Sequence, residues 1–274
     1  MLSIVIVSFN SFATIKTCLN ELLSKPPCKI IVVDNASSDD TVAQLQQNYP
    51  EIELISLTQN IGYGRAANVG FKAVDTSYGL LLNPDMELSL NDFDLLSQSI
   101  KRLEGSFAIL GPSVMEKQHT KSGVQEVDWV HGSAMVFDMN KMADVGFFDD
   151  AFFLFYEETE LCFRARSKGY KLLLDTDLYI NHLSGQSSTY NEKIDLLKSW
   201  HFGWSRCYLY TKHPDYPKAT KPIRVFFKYL RKALLATNHQ KRKSNCYKAL
   251  GSLAFILGSK SFNENGGGKR TDKL

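Results

Sequence analysis

Short apolar runs alternate with helical segments through the first 105 residues, and this alternation limits the fold more than any other feature of the sequence. Residues 3–8 and 29–34 are unbroken apolar runs rich in β-branched side chains, which is typical of buried strands. Residues 14–24, between them, carry apolar side chains at helical spacing. Strands that alternate with helices predict an α/β fold, with a mostly parallel central sheet covered by helices on both faces.

The same criteria assign most of the remaining chain. We predict further helices at residues 41–49, 64–74 and 91–103, and further strands at 52–57, 78–82, 109–115 and 129–137. The second half is less regular, with a polar segment at 116–126 and short extended pieces at 172–175 and 178–181. A basic amphipathic helix starts at Pro222, and a second apolar piece follows at 250–257.

Cysteine usage and charge indicate where the protein acts. The five cysteines are scattered without CxxC spacing, which argues against a disulfide framework or a zinc site and favours the reducing cytoplasm. No stretch approaches the roughly 18 apolar residues of a membrane-spanning helix. Residues 218–274 carry 14 basic against two acidic residues, a local charge of +12 that leaves −9 for residues 1–217. This asymmetry indicates an anionic surface as a partner.

Polar clusters follow the predicted parallel strands at their carboxyl ends, where ligands of such sheets bind. They are the segments at residues 8–10, 34–37, 60–64 and 83–85. Asp34 could accept a hydrogen bond from the ring N–H of a pyrimidine base, which the loop Ser8, Phe9 and Asn10 could sandwich. The alternative is that residues 37–39 only cap the next helix.

Asp85 follows another buried strand, and a carboxylate at that point suits a hard divalent cation that also binds phosphate oxygens. His182, at a further strand end, could complete the coordination. The alternatives are that Pro84 and Asp85 only form a turn and that His182 is a structural residue.

Three carboxylates and an arginine lie within residues 155–164, behind a run of aromatic side chains. The spacing predicts a helix over 158–168, with Gly169 as its C-cap. Glu157 and Glu158 would lie at its first turn, where the helix dipole favours an ionised carboxylate that could act as a base. The alternative is that these acids only cap a surface helix.

Taken in order, these motifs resemble the inverting family-2 glycosyltransferases with the GT-A fold, especially their rhamnosyltransferase-like members. The resemblance covers roughly residues 3–188. It rests on Val-Ser-Phe-Asn (7–10), Val-Val-Asp-Asn-Ala-Ser-Ser-Asp-Asp-Thr (32–41), the segments 60–70 and 145–150, Asn-Pro-Asp (83–85), Trp-Val-His-Gly-Ser (129–133) and Glu-Glu-Thr-Glu-Leu-Cys-Phe-Arg (157–164).

The resemblance implies transfer of a sugar from a nucleoside-diphosphate donor to an acceptor hydroxyl with inversion. Asp85 and His182 would hold Mg²⁺ or Mn²⁺ on the diphosphate, and Glu158 would be the base, with Glu157 as the alternative. The implied nucleotide and donor residues are Ser8, Phe9, Asn10, Asp34, Asn35, Ser37, Asn60, Gly62, Arg65, Asn68, Asn83 and Asp85. The implied sugar pocket contains Trp129, His131, Gly132, Ser133, Glu160 and Arg164. Glu160 is expected to orient the site, and Arg164 to pair with an acid or the diphosphate; for both, a purely structural pairing is the alternative.

Two positions depart from the usual family pattern. Glu158 stands where Asp is usual, so the acceptor would sit slightly further away. Asn83 replaces the first acid of the family's DxD motif, so the metal should bind more weakly. The Asn-Pro-Asp version favours a dTDP-rhamnose or UDP-hexose donor.

We therefore expect a catalytic domain at residues 1–215, with a nucleotide-binding half (1–105) and an acceptor-binding half (106–215). A basic helical extension (216–262) and a disordered tail (263–274) would follow. The enzyme would act on a lipid-linked glycan in bacterial O-antigen, capsule, lipopolysaccharide or other surface polysaccharide synthesis. Its extension would either contact the anionic inner face of the plasma membrane or pack on the body. An inactive nucleotide-sugar-binding scaffold is the alternative function; no nucleic-acid-binding motif is present, and the sequence leaves the oligomeric state open.

Overall fold

A computed structural model describes residues 2–23, 28–114, 122–182, 192–217 and 219–262. The predicted tail at 263–274 and part of the predicted loop at 116–126 lie outside these residues. The chain forms two compact units. One, here called the sheet unit, comprises Met1–Asn60, Ala66–Phe148 and Leu161–Ser188, and the other, the helical unit, comprises Ile61–Arg65, Asp149–Glu160 and Thr189–Leu274.

The strands all belong to the sheet unit within the described residues. They are β1 (Leu2–Ser8), β2 (Lys29–Asp34), β3 (Glu53–Ser56), β4 (Tyr78–Leu82), β5 (Met86–Glu87), β6 (Ile109–Ser113), β7 (Val124–Glu126), β8 (Ala134–Asp138), β9 (Leu172–Tyr179) and β10 (Asn181–His182). Its helices are α1 (Phe12–Leu23), α2 (Thr41–Asn48), α4 (Leu90–Arg102), α5 (Met139–Val145) and most of α3 (Tyr63–Phe71) and α6 (Glu157–Ser167).

Eight of these strands form one sheet in the order β3-β2-β1-β4-β8-β6-β9-β7, and β5 pairs with β10 separately. The first four are parallel, whereas β8 runs antiparallel to both its neighbours. The register pairs Ser8 with Asp34 and Asp34 with Ser56, so the loops after β1, β2 and β3 leave the same edge of the sheet. Leu82 pairs with Ala134, which brings the start of antiparallel β8 to that edge as well.

Buried apolar side chains explain why these segments form a layered α/β unit. All seven residues of β1 are buried, as expected for a strand that helices cover on both faces. Helix α1 buries Ile15, Cys18, Leu19 and Leu22, one face of the helix, against the same core. Helix α4 begins at a capping box in which Ser89 and Asp92 satisfy each other's backbone N–H groups.

The helical unit is built on α7 (Glu192–Lys212), α8 (Pro222–Leu235) and α9 (His239–Ile256). Helices α7 and α9 approach so closely that only glycine fits at two crossing points. A Cβ atom on Gly203 would lie 2.0 Å from the Lys248 carbonyl oxygen, and one on Gly251 would lie 2.0 Å from that of Trp200. Within the described residues, no helix has the length and apolar character that crossing a membrane requires.

The predicted α/β fold with a mixed, largely parallel sheet is confirmed, and the predicted helix at 158–168 is α6, shifted by one residue. The strand predicted at 129–137 is wrong at its start, because His131 and Ser133 form a turn before β8. The pieces at 172–175 and 178–181 largely form one strand, β9, and the apolar piece at 250–257 is the end of α9. Helix α7 was missed because its buried residues surround the helix instead of forming a stripe.

Candidate active site

Hydrogen bonds join the loops that follow β1 and β2. Asp34 is 1% exposed, and its Oδ2 accepts from the Ser37 N–H at 2.9 Å while its Oδ1 accepts from the Ser37 hydroxyl. The Asn10 N–H donates to Ser37 Oγ at 2.8 Å, and Asn10 Oδ1 accepts from the Ser38 N–H at 2.8 Å. Asp34 therefore shapes this loop pair as well as lying at the strand end.

The same loops hold residues in backbone conformations that side chains rarely adopt. Asn10 has φ of 48° and Ala36 has φ of 63°, and such conformations cluster at functional sites. Asn35 donates from Nδ2 to Asn60 Oδ1 at 3.1 Å, which extends the network to the loop after β3. Phe9 is 38% exposed beside this network, so an aromatic surface is open to a ligand there.

Asp85 and His182 lie together at the paired strands β5 and β10, as predicted. Asp85 Oδ1 is 3.2 Å from His182 Nε2, and the pairing of His182 with Met86 fixes this proximity. Asp85 is 3% exposed, and its Oδ1 is buried and accepts no hydrogen bond in the described part of the chain, although His182 Nε2 lies within 3.2 Å of it. A buried carboxylate oxygen left in this state fits a cation.

The turn before β8 brings the Trp129–Ser133 segment to the same place. The Asn83 N–H donates to the Ser133 carbonyl at 2.8 Å, and the His131 and His182 rings are 5.7 Å apart. His131 Nδ1 accepts from the Ser133 N–H at 3.2 Å and lies 2.8 Å from the Ser133 hydroxyl oxygen. Burial, and next the charge of His182, lower the pKa of His131, which favours the neutral ring.

Three residues that were predicted to bind the nucleotide-sugar donor make packing contacts within the protein. A Cβ on Gly62 would lie 2.4 Å from the Phe153 carbonyl oxygen, and Gly62 has φ of 89°, so glycine is required there. The Arg65 guanidinium lies 4.5 Å from the centroid of the Phe262 ring. Both ends of the Asn68 amide bind the backbone of Phe148, at 2.8 and 3.0 Å.

Glu157 and Glu158 differ in environment although they are adjacent at the start of α6. Glu157 is 5% exposed, and its Oε2 is buried without a hydrogen-bond partner among the described residues. Burial, and next the charge of Glu158, raise the pKa of Glu157 to about 8. Glu158 is half-buried and accepts a hydrogen bond from Thr159 Oγ1 at 3.0 Å. At Glu157, burial thus opposes the ionised form that the helix dipole favours.

Strained backbone precedes this pair. Phe155 and Tyr156 both have φ of 69°, which is unusual for bulky side chains. Both rings pack against Phe202 of α7, at centroid distances of 5.6 and 5.1 Å. This packing holds the chain in the sharp conformation that delivers Glu157 and Glu158 to the start of α6.

Glu160 belongs to a buried charge network that the sequence did not reveal. It is 0% exposed and accepts from Lys212 at 2.8 Å and from His213 at 2.9 Å. Lys212 also pairs with Asp149 at 2.6 Å, and Tyr208 donates to Asp149 at 2.8 Å. The family motif around residues 149–160 signalled these acids, but nothing in the sequence signalled their partners on α7 and directly after it.

Arg164 is bound by backbone carbonyl groups. Its guanidinium donates to the carbonyl oxygens of Val145, Gly146 and Phe147, with a distance of 3.0 Å to Gly146. These contacts attach Arg164 to the loop after α5, the structural role given above as the alternative, and its pairing with an acid or the diphosphate stays a prediction.

Two cavities lie away from the strand-end network. One of about 390 Å³ lies between α7 and α9, and one of about 350 Å³ lies between α1 and the β5–β10 pair. Asp34, Asp85 and His131 line neither of them. The candidate site is therefore the polar network at the strand ends, which is separate from these cavities.

The fold matches that of proteins solved in complex with nucleotide sugars. A mannosyltransferase from Pyrobaculum calidifontis, solved with GDP-Man and Mn²⁺, aligns with a TM-score of 0.59 at 14% identity over 94% of this chain and 74% of its own. S. aureus TarS, residues 1–349 with UDP-GlcNAc, aligns with a TM-score of 0.57 at 14% identity over 94% and 92%. The fold is therefore that of the GT-A glycosyltransferases.

Sequence comparison establishes the family. The pattern described as "Glycosyl transferase family 2" matches residues 3–150, and the chain belongs to this family. A low-salt glycan biosynthesis hexosyltransferase of Haloferax volcanii is 28% identical over 60% of this chain and 61% of its own length. An N-acetylglucosaminyl-diphospho-decaprenol L-rhamnosyltransferase of Mycobacterium tuberculosis is 22% identical over 54% and 64%. The matched part of the chain thus covers a little over six tenths of the length of each of these relatives.

Proposed function

We propose that this protein transfers a sugar from a nucleoside-diphosphate donor to an acceptor hydroxyl with inversion. Membership of glycosyl transferase family 2, together with the polar network at the carboxyl ends of β1, β2 and β4, carries this proposal. In such sheets the strand ends are where nucleotides bind. The inactive scaffold is the alternative.

The loops after β1 and β2 supply the nucleotide end of the proposed site. Asn10, Asp34 and Ser37 are held rigidly by mutual hydrogen bonds, so they can bind a nucleoside without first becoming ordered. The exposed ring of Phe9 offers a stacking surface for the base. We assign Asn35, Asn60 and Asn83 to the wall of this site.

Asp85 and His182 are the proposed ligands of Mg²⁺ or Mn²⁺, because the buried Asp85 Oδ1 accepts no hydrogen bond in the described chain. The described residues hold no group of three or more His, Cys, Asp or Glu side chains suited to a metal. Phosphate oxygens and water would complete the coordination, as Mg²⁺ sites on phosphates commonly do. A bound cation would stabilise negative charge on the leaving diphosphate.

Glu158 is the proposed base, and Glu157 is not. A base must be ionised to accept the acceptor's proton, and the raised pKa of Glu157 keeps it mostly protonated at neutral pH. Glu158 is also the more exposed of the two. Trp129, His131, Gly132 and Ser133 are proposed to contact the donor sugar. Glu160 is proposed to orient the start of α6, where it is held by Lys212.

The name of one relative suggests a class of acceptor and of donor for this protein. One relative is named for a diphospho-decaprenol acceptor and for rhamnosyl transfer. We therefore propose a lipid-linked glycan acceptor in surface polysaccharide synthesis and a dTDP-rhamnose or UDP-hexose donor. Location in the cytoplasm, at the inner membrane face, is part of the same proposal.

The outer face of α8 supports membrane contact. Ile223, Phe227 and Leu234 are 46, 57 and 75% exposed, and their spacings of four and seven residues, one and two helical turns, form one apolar stripe. Helix α8 carries four basic residues and no acid. A helix with exposed apolar side chains among cations binds anionic bilayers, with about 1 kcal/mol from each basic residue near the surface.

The activity is tested by donor turnover with purified protein and Mn²⁺ across dTDP- and UDP-sugars. Glu158→Gln is expected to lower turnover by about 10²–10⁴-fold, the usual contribution of a general base, while nucleotide affinity stays unchanged. Glu51→Gln, an exposed glutamate of the sheet unit, is the matched control. Full turnover in Glu158→Gln would reject the base assignment, and nucleotide binding without turnover by the wild type would favour the scaffold.

Membrane contact is tested separately by flotation with phosphatidylglycerol vesicles. The double variant Phe227→Glu, Leu234→Glu is expected to stay in the unbound fraction. Leu95→Glu, which changes a 42% exposed leucine on α4, is expected to bind like the wild type. If the double variant binds the vesicles as well as Leu95→Glu and the wild type do, the membrane contact does not involve this stripe.

A further inference from the structure

Arg206 is a half-buried cation on α7 whose partners are aromatic. Its Nε donates to Tyr210 Oη at 3.0 Å, and its Nη1 donates to Tyr229 Oη at 2.8 Å. The guanidinium carbon is 5.2 and 6.0 Å from the centroids of these two rings. No carboxylate of the described residues forms an ion pair with Arg206. A cation removed from water in this way is costly without a counter-ion.

The cluster around Arg206 offers hydrogen-bond donors and no ionised acceptor. Tyr210 and Tyr229 are 7 and 4% exposed, and each hydroxyl uses an oxygen lone pair to accept from the arginine. Each hydroxyl therefore still has its own proton to donate. Within the described chain, neither hydroxyl donates to an acceptor. The guanidinium also has N–H groups beyond the two already used.

Further cations lie close enough to interact with this cluster. The charge of Arg206, and next burial, lower the pKa of Lys228. Burial, and next the charge of Lys232, lower the pKa of Lys248. The Lys248 ammonium is 5.2 Å from the centroid of the Phe202 ring, which is 6.5 Å from that of Tyr229. Several positive charges thus accumulate along α7, α8 and α9.

We propose that Arg206, Tyr210 and Tyr229, together with Lys228, form a binding site for a phosphate or diphosphate group. A phosphate brings several acceptor oxygens and more than one negative charge, which matches a set of donors and cations better than a single carboxylate does. The proposed phosphate site deepens the proposed function, and only the identity of its ligand rests on that function. If the acceptor is lipid-linked, the phosphate that joins its sugar to the lipid is the expected ligand.

The first test is calorimetric titration with inorganic pyrophosphate in EDTA, so that no metal-dependent binding contributes. Arg206→Gln is expected to weaken binding at least about tenfold, because it removes charge-assisted hydrogen bonds to the phosphate oxygens. Lys228→Gln removes an exposed charge, keeps the fold and is expected to weaken binding about threefold. Lys72→Gln, an exposed lysine of the sheet unit, controls for net charge.

The second test is flotation of the same four proteins with phosphatidylcholine vesicles that contain phosphatidic acid. Weaker pyrophosphate binding in Arg206→Gln and Lys228→Gln supports a site open to soluble phosphates, and weaker flotation alone supports a site for a lipid phosphate. If both variants behave like Lys72→Gln in both tests, or if the wild type binds in neither, the proposal is overturned. Nucleotide-sugar binding with Mn²⁺ should be unchanged in all four proteins, so failure here is distinguishable from failure of the proposed function.

Discussion

The stability of this protein should fall as the pH rises from about 5 to 8, because Glu157 must stay protonated in the folded state. Its pKa is raised from 4.5 to about 8, mainly by burial. In this range the folded state holds a proton that the unfolded chain has lost, so raising the pH favours unfolding. The slope is about 1.4 kcal/mol for each pH unit, and the whole shift corresponds to up to about 5 kcal/mol.

Replacement by glutamine keeps the size of the side chain and removes the titration. Glu157→Gln should match the wild type in free energy of unfolding near pH 5 and exceed it increasingly up to pH 8, by a few kcal/mol. Urea denaturation at pH 5, 6, 7 and 8 measures this difference, and groups that titrate equally in both proteins cancel. Glu51→Gln, an exposed glutamate, should run parallel to the wild type.

The result that would refute this reasoning is a constant difference between Glu157→Gln and the wild type across the pH range. It would mean that Glu157 is ionised in the folded protein. The assignment of Glu158 as the base would then lose its main physical support, because both carboxylates could accept a proton.

Three further changes follow from the same contacts. Asp85→Asn should abolish the rise in thermal midpoint that Mn²⁺ and a nucleotide sugar produce together, and an unchanged rise would count against the metal site. Lys212→Met should cost about 1–3 kcal/mol in urea denaturation, because it removes one of the two partners of the buried Glu160 and leaves His213. Lys243→Met, from an exposed pair, should cost under about 1 kcal/mol. Gly251→Ala should destabilise by more than 1 kcal/mol, as overpacking does, because its Cβ would meet the Trp200 carbonyl at 2.0 Å; a neutral result would show that α7 and α9 can separate.

The strands and most helices of the sheet unit were predictable because their patterns are local. Residues 29–34 and 78–82 are strands with the predicted bounds, since unbroken β-branched or apolar runs bury on both faces. Helix α7 was not predictable in this way. Its length of 21 residues is covered by neighbours on several sides, so no single apolar stripe marks it in the sequence.

The sequence predicted which side chains belong to the candidate site, but it did not predict the hydrogen-bond partners of each side chain. Asp85 and His182 are 97 positions apart and meet through the pairing of β5 with β10, which the two strand-end motifs anticipated. Arg164 binds backbone carbonyl groups of the loop after α5, and the family motif did not indicate these contacts. A motif specifies which side chain is present, whereas its hydrogen-bond partner depends on segments that only folding brings near.

The sequence alone determined the α/β class, the order of the strand-end motifs and the resemblance to family-2 glycosyltransferases, since each depends on short-range patterns. Tertiary structure decided the charge states and pairings. Burial raises the pKa of Glu157 against the effect of the helix dipole, while Glu160, three residues on, is paired with Lys212 and His213, at the end of α7 and directly after it. The physical reason is that desolvation and ion pairing depend on neighbours distant in the sequence, such as the partners of Glu160 about 50 positions away, and no local pattern records them.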